Sequence, residues 1–371
     1  MALSPAATIG MPLDEVDTPC LILDLDAFER NLQRLSDSLA GSRVRVRPHA
    51  KSHKCPQIAM RQIAAGAVGV CSQKVSEAEA LVAGGVRDVL IANEVVGGAK
   101  LRRLAALATQ AHVAVCADDA GNVRALDEAA REFGVTLDVL VEVNVGANRC
   151  GVESGEPALR IAQAIVACRN LRFAGLQAYH GAAQHVRGVE ERRAAIASAA
   201  DKARTTKALL QRHGIECEKV TGAGTGTYLF EAGSAVYDEI QPGSYIFMDA
   251  DYARNDWTES GIPRFEHSLF VWTSVMSQTT PDRAIVDAGL KASSVDSGMP
   301  RVADVEGAEY IKASDEHGVL QLTGANLKLG DKLKLIPGHC DPTVNLYDYY
   351  VCVRGGRVEA LWPITARGAL L

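Results

Sequence analysis

No two cysteines in this chain stand at Cys-x-x-Cys spacing, although nine are present. The number is odd, the positions are scattered, and Cys20, Cys71, Cys116, Cys168 and Cys352 sit among apolar or small residues. That excludes a disulfide frame and predicts reduced, mostly buried thiols, as in a cytosolic protein. There is no basic excess either. A net charge of −6 removes the electrostatic case for nucleic acid or an anionic membrane as partner. No run approaches the ~18 apolar residues that a membrane helix needs. The opening MALSPAATIGMPLDEV lacks the basic start and apolar core of a signal peptide. Repeats and low-complexity linkers are missing as well. What remains is 371 residues, 47% hydrophobic and 23% charged, enough for two domains or one large barrel with an addition. The expectation is a soluble cytoplasmic protein.

Thr18–Asp26 reads as an apolar strand ending at acidic residues, with Asp26 placed to cap a helix in which Phe28, Leu32 and Leu35 recur at helical spacing. A second short strand leads into Arg47-Pro48-His49-Ala50-Lys51-Ser52-His53-Lys54. Seven more apolar strands follow at 68–71, 89–91, 113–116, 139–143, 173–179, 219–221 and 239–241. Ala-rich helical segments lie between most of them, and Ser76 with Glu79 carries a capping-box pattern. Eight strand–helix units over residues 27–258 predict a (β/α)8 barrel of the TIM type. A doubly wound open sheet would need a Gly-rich turn after its first strand, and this chain has PHAKSHK and CSQKVSE instead. From about Arg264 the texture changes to short strands separated by turns, with no helix evident. Residues 1–26 and 259–371 are therefore expected to form a β domain, with the early strand paired into it.

In a parallel barrel every strand's C-terminal end opens on one face. The first barrel strand delivers Lys51, and the fifth delivers Arg149 within NVGANRCG. The sixth delivers Tyr179 and, shortly after, His185. The seventh ends in Thr221-Gly222-Ala223-Gly224-Thr225-Gly226-Thr227 and the eighth in Gln241-Pro242-Gly243-Ser244-Tyr245. Backbone N–H groups of Gly-rich loops can approach an anion, and hydroxyls add donors. Two such loops at the seventh and eighth strand ends form the recurrent phosphate site of barrels. A phosphate site with a lysine, an arginine and a tyrosine points to pyridoxal 5′-phosphate (PLP), with Arg149 and Tyr179 near the ring oxygen or nitrogen. Arg149 alone could equally be a structural ion-pair residue. Far along the chain, His339 and Asp341 flank Cys340. On a strand the first two would share a face and could chelate a divalent ion such as Mn²⁺ or Mg²⁺, whereas Cys340 as ligand would favour Zn²⁺. Asp315-Glu316-His317-Gly318 is a further polar cluster that could line the same cleft.

The segments DTPCLILDLDAFERNL, RPHAKSHK, CSQKVSEAEA, VEVNVGANRCGV, LQAYHG, GAGTGT, QPGSYIFMDADY, VDAGLK, DEHGV and PGHCDPT occur in the order found in D-threonine aldolases and 3-hydroxy-D-aspartate aldolases. The chain resembles these fold-type III PLP enzymes, relatives of alanine racemase and eukaryotic-type D-serine dehydratase, over about residues 16–368. The resemblance implies a PLP barrel, a C-terminal β domain, a head-to-tail homodimer and a divalent metal. It implies Lys51 as the Schiff-base lysine, and His339 and Asp341 as metal ligands. Arg149, Tyr179, Thr225, Gly243 and Ser244 fall at PLP contacts, and His185 at a candidate base. The loop residues Gly224, Gly226 and Tyr245 complete the expected cofactor site. The dehydratase branch carries His-x-Cys, so Asp341 favours the aldolases. Ala223 departs from the expected Gly, a neutral change where its φ is negative.

The function so implied is retro-aldol cleavage of a small 3-hydroxy-D-amino acid, such as D-threonine or D-allo-threonine, to glycine and an aldehyde. Alternatives on the same scaffold are a 3-hydroxy-D-aspartate aldolase giving glyoxylate and a D-serine or 3-hydroxyaspartate dehydratase. The non-enzyme alternative is a PLP carrier, against which the HCD motif counts.

Overall fold

The computed structural model describes residues 6–371. Its first strand, Cys20–Asp24 (β1), is apolar on both faces, and Cys20 to Leu23 are all buried. The Asp24 carboxylate accepts from Ala27 N–H at 3.0 Å and caps the helix Leu25–Ser38. The cap is therefore Asp24 and not Asp26, whose carboxylate pairs instead with Arg354. The helix starts two residues earlier than expected because Leu25 is needed in the core.

The barrel strands are Arg45–Val46 (β2), Val70–Ser72 (β3), Asp88–Glu94 (β4), His112–Ala117 (β5), Leu137–Glu142 (β6), Leu171–Gln177 (β7), Val220–Gly222 (β8) and Glu239–Ile240 (β9). They pair in parallel in the order β2-β9-β8-β7-β6-β5-β4-β3. Backbone bonds close the seam between the ends. Val68 N–H donates to Val46 O at 2.9 Å and Cys71 N–H to Pro48 O at 2.8 Å. The expected (β/α)8 architecture is present. Strands buried on both faces are rich in apolar residues, and LDVLVE of β6 is buried throughout, its Asp138 and Glu142 included.

Seven helices follow barrel strands, from Pro56–Ala64 to Tyr228–Gly233. The eighth place, beside β9, is taken by Leu25–Ser38, which precedes the first barrel strand. Its buried Asn31 donates to Ile246 O at 3.3 Å and to Glu266 O at 2.8 Å. The helix after β3 spans Val75–Ala83, with Lys74 at its N-cap and the Glu77 side chain accepting from Gln73 and Lys74 N–H. The expected Ser76 cap is thus displaced by two residues. Ser76 lies inside the helix, its hydroxyl bonded to Leu371 O at 2.8 Å.

At the N-terminal rim of the barrel, ion pairs run across strands. Arg47 reaches Glu239 (2.9 Å) and Asp88 (2.5 Å), His112 reaches Asp88 (3.1 Å) and Asp138 (2.8 Å), and Arg172 also pairs with Asp138. The opposite rim is left for the site.

The second sheet is mostly antiparallel. Its strands are Leu269–Thr280 (β10), Arg283–Val286 (β11), Arg301–Val302 (β12), Ala308–Ala313 (β13), Gly318–Leu322 (β14), Lys332–Ile336 (β15), Tyr349–Arg354 (β16) and Arg357–Pro363 (β17). The early strand joins it, with β1 antiparallel to β10 and parallel to β16. Two features differ from expectation. Strands β12, only two residues long, and β13, largely exposed and carrying Glu309 and Lys312, were not expected. One helical turn, Cys340–Val344, interrupts the region thought free of helix. The cluster 315–317 is the turn of the β13–β14 hairpin; Glu316 pairs with Lys291 at 2.5 Å and does not enter the cleft.

Candidate active site

Beyond β2 the chain makes one 3-10 turn, Ala50–Ser52. His49 caps it, its Nδ1 accepting from Lys51 N–H at 3.4 Å while its Nε2 meets Gln73 at 2.9 Å. Burial, and then the charges of Lys51, His53 and Arg149, push the His49 imidazole well below its usual range, so it is neutral at pH 7. The turn separates the two lysines. Lys54 is buried against Glu77 and belongs to the framework. Lys51 enters a cavity of about 330 Å³ at the C-terminal rim and stands 3.5 Å from Asp341 Oδ2. Burial would lower its pKa, but the nearby Asp341 and Tyr179 oxygens outweigh that and raise it.

The two Gly-rich loops meet beside this lysine. Thr225 Oγ1 accepts from Tyr245 N–H at 2.9 Å, which joins the loop after β8 to the loop after β9. A Cβ on Gly224 would come within 2.6 Å of Gln184 Oε1, and one on Gly243 within 3.0 Å of His49 O. A larger residue at either position would crowd its neighbour. Gly224, Thr225, Gly243 and Ser244 line the cavity, as do Arg149 and Tyr179, whose guanidinium and ring lie 5.9 Å apart. These residues fit a phosphorylated aromatic aldehyde: a loop cradle for the anion, an arginine and a tyrosine for the ring, and an amine within reach. Two expected residues are placed differently. Gly226 N–H is spent on Gln184 Oε1 at 2.8 Å, and the Tyr245 ring is buried in the core with its hydroxyl on Gln62. Tyr245 reaches the loop only through its backbone. Ala223 has φ +71°, so it occupies the left-handed region and the expectation of a negative φ is corrected.

His339 and Asp341 also line the cavity, but by a different geometry from the expected strand. His339 is extended and precedes the turn Cys340–Val344, in which Asp341 occupies the first turn. Cys340 is fully buried on the other side, its N–H donating to Asp249 Oδ2 at 3.1 Å, which excludes it as a ligand in this register. Asp296 Oδ2 lies 2.8 Å from His339 Nδ1 and leaves Nε2 free. Asp341 Oδ1 is buried without a hydrogen-bond partner. An orphaned carboxylate oxygen beside a free imidazole nitrogen fits a divalent cation. No third His, Cys, Asp or Glu joins them in a metal-binding group among the described residues, so solvent or substrate would complete the coordination.

His185 closes the far side of the cavity. Its Nδ1 meets Asp251 Oδ2 at 2.7 Å. Against the effect of burial, hydrogen bonds from Arg187, Arg254 and His185 hold Asp251 down at about 2, so it is a carboxylate at any working pH. Such a partner fixes the tautomer and leaves Nε2 as the working nitrogen. Sequence reasoning missed the floor. Gln177 and Gln241, at the ends of β7 and β9, exchange amide hydrogen bonds of 3.0 and 2.8 Å and are buried. Their place just before LQAYHG's Tyr179 and at the head of QPGSY was the available signal. Tyr252 and Gln73 are further lining residues that carried none.

Comparison with known proteins follows the same division of the chain. Residues 23–251 match the family model described as the alanine racemase N-terminal domain, and residues 268–353 match a putative serine dehydratase domain. The chain is 49% identical to a 3-hydroxy-D-aspartate aldolase of Paracoccus denitrificans (strain Pd 1222), covering 97% of this chain and 94% of the relative. It is also 49% identical to a D-threonine aldolase of Arthrobacter sp., covering 99% and 97%. The crystal structure of D-threonine aldolase from Filomicrobium marinum superposes with a TM-score of 0.97 at 54% identity, covering 99% of this chain and all of that one. D-threo-3-hydroxyaspartate dehydratase from Delftia sp. HT23 is more distant, at TM-score 0.84 and 25% identity over 95% of this chain and 98% of that one.

Proposed function

Because the chain belongs to the family of D-threonine aldolases and 3-hydroxy-D-aspartate aldolases, and is a PLP-type aldolase, we propose that it cleaves 3-hydroxy-D-amino acids of the D-threonine and D-allo-threonine type to glycine and an aldehyde. The observation that carries this reading is the meeting of Lys51 with His339 and Asp341 across one cavity. A racemase needs groups at Cα only. A lyase that breaks Cα–Cβ also needs chemistry at the β-hydroxyl, and the His-x-Asp pair supplies a place for it.

In this reading Lys51 would hold PLP, with Gly224, Thr225, Gly243 and Ser244 as the residues that would take its phosphate and Arg149 and Tyr179 those that would face its ring. His339 and Asp341 would hold a divalent metal, Mn²⁺ or Mg²⁺ by the hardness of an imidazole–carboxylate pair. When bound, PLP supplies a sink for the electrons of the broken Cα–Cβ bond, and the metal lowers the pKa of the β-hydroxyl. His185 takes the proton of that hydroxyl on Nε2 while Asp251 steadies Nδ1. Lys51, within reach of Asp341, would also move protons at the substrate amine. The paired carboxamides of Gln177 and Gln241 line the same cavity and would present polar groups to the bound molecule.

The cofactor and metal ligands, the substrate's D configuration, a head-to-tail homodimer and a cytoplasmic location all belong to this proposal. All nine thiols are free, as a reducing compartment would keep them, and no helix among the described residues is long and apolar enough to cross a membrane. The test is chelation. Exhaustive treatment with a chelator abolishes glycine release from D-threonine, and added Mn²⁺ restores it. Full activity in the chelated enzyme contradicts the metal role and leaves the cofactor role standing.

A further inference from the structure

One side chain at the rim belongs to neither the catalytic nor the cofactor set, yet it is bonded to the Gly-rich loop and is the chain neighbour of His185. We propose that Gln184 is a positioning residue that locks the Gly-rich loop 224–227 to His185, so that seating the cofactor phosphate and placing the imidazole are a single event. The inference rests on the PLP reading above.

Gln184 lies in the loop after β7 and is 1% exposed. Its carboxamide fills the concavity of the loop after β8. Oε1 accepts from Gly226 N–H at 2.8 Å, and Nε2 donates to Thr227 Oγ1 at 2.8 Å. Thr227 in turn donates to Glu231 Oε1 at 2.9 Å. Burial pushes the Glu231 carboxyl up to about 8, so this chain of bonds ends in a group that is largely uncharged at neutral pH. Each hydroxyl and amide in the chain has one orientation that satisfies both neighbours, so the amide cannot flip without leaving two buried groups unpaired. The loop is shaped to this side chain: a Cβ on Gly224 would strike Gln184 Oε1 at 2.6 Å, and one on Gly226 would approach it to 3.1 Å. The backbone carries the coupling onward. Gln184 O accepts from Asn255 Nδ2 at 3.0 Å, and Asn255 Oδ1 accepts from Arg187, which also bonds Asp251. Asp251 holds His185, the residue next to Gln184. Gln184 is thus tied by its amide to the loop that faces the phosphate and by its main chain to the carboxylate that aims the imidazole.

Gln184→Met keeps the volume and removes both hydrogen-bonding ends. PLP binding followed by absorbance should weaken about tenfold or more, and kcat at saturating PLP should fall about tenfold or more. Melting of the cofactor-free protein should stay within a few degrees of the parent. In a His185→Ala background the same change should still weaken PLP binding but take no further kcat. An unchanged PLP affinity and kcat in Gln184→Met overturns the proposal, and so does an undiminished kcat loss in the His185→Ala background. If Gln184→Met does not fold, Thr227→Val and Thr227→Ser decide. Valine should weaken PLP binding and serine should restore it, and equal affinities overturn the proposal. A parent protein that takes up no PLP overturns the cofactor reading and this one with it. A parent that binds PLP beside a Gln184→Met that binds it equally overturns this one alone.

Discussion

The Lys51 ammonium stands 3.5 Å from Asp341 Oδ2, joining residues that are almost three hundred positions apart in the chain. One comes from the end of a barrel strand and the other from a single helical turn in the β-rich part of the chain. The contact brings the cofactor lysine and the metal-site carboxylate of the proposed reaction into one cavity.

Removing the amine tests the first half of that contact. Lys51→Ala should give a folded protein that shows no visible band of covalently held PLP and no aldol cleavage. Lys54→Ala should act quite differently, because Lys54 is buried against Glu77 and its loss strands a buried carboxylate, at a cost of about 3–5 kcal/mol. Denaturant midpoints beside absorbance spectra separate the two, and exchanged phenotypes would show that the wrong lysine had been chosen.

The second half is the carboxylate. Asp341→Cys turns His-x-Asp into His-x-Cys with little change of volume, and a thiolate beside an imidazole selects Zn²⁺ over Mn²⁺. Metal-reactivation curves of the chelated variant should show Zn²⁺ overtaking Mn²⁺. Unaltered Mn²⁺ preference would mean that Asp341 is not a ligand.

How much of this was legible in the sequence varies by residue. The eight units showed because strands buried on both faces, such as LDVLVE with its buried Leu and Val residues, are rich in apolar residues. The two Gly-rich loops showed because the backbone there runs close to Gln184 and His49, which a Cβ would crowd. The turn at Cys340–Val344 did not show, since five residues containing a proline carry no periodicity. The difference between Lys51 and Lys54 lies in Glu77, which pairs with Lys54 from the helix after β3 and which spacing could not name. Gln184 was invisible for the same reason: its amide matters only once two loops meet.

Ala223 offers a stability test. At φ +71° an alanine costs about 1–2 kcal/mol over glycine, partly offset by the ~0.4–1 kcal/mol that glycine adds to unfolded-state entropy. Ala223→Gly should therefore be neutral to about 1.6 kcal/mol more stable, and Ala223→Val clearly destabilised, in urea melts. A valine variant as stable as the parent would contradict the left-handed conformation.

The N-terminal rim predicts a pH dependence. Hydrogen bonds to Asp138 and Asp88 outweigh burial and push the His112 imidazolium up to about 9. A raised folded-state value means that the contribution is fully present below the unfolded value, near 6.5, and is lost as pH rises through about 9. Against burial, His112 and Arg172 hold Asp138 down at about 2, so its contribution is present above the unfolded value near 4 and is lost as pH falls through about 2. Urea midpoints should decline between pH 6.5 and 9.5, and His112→Gln should flatten that decline. An equally steep decline in the variant would assign it elsewhere.

The most direct measurement is a product assay of the PLP- and Mn²⁺-loaded enzyme with D-threonine, D-allo-threonine, 3-hydroxy-D-aspartate and D-serine. The account predicts glycine together with the matching aldehyde from at least one of the first three, and no pyruvate or ammonia from D-serine. Pyruvate and ammonia without glycine would place the chain among the dehydratases, and no product from any of the four would reduce it to a carrier of the cofactor.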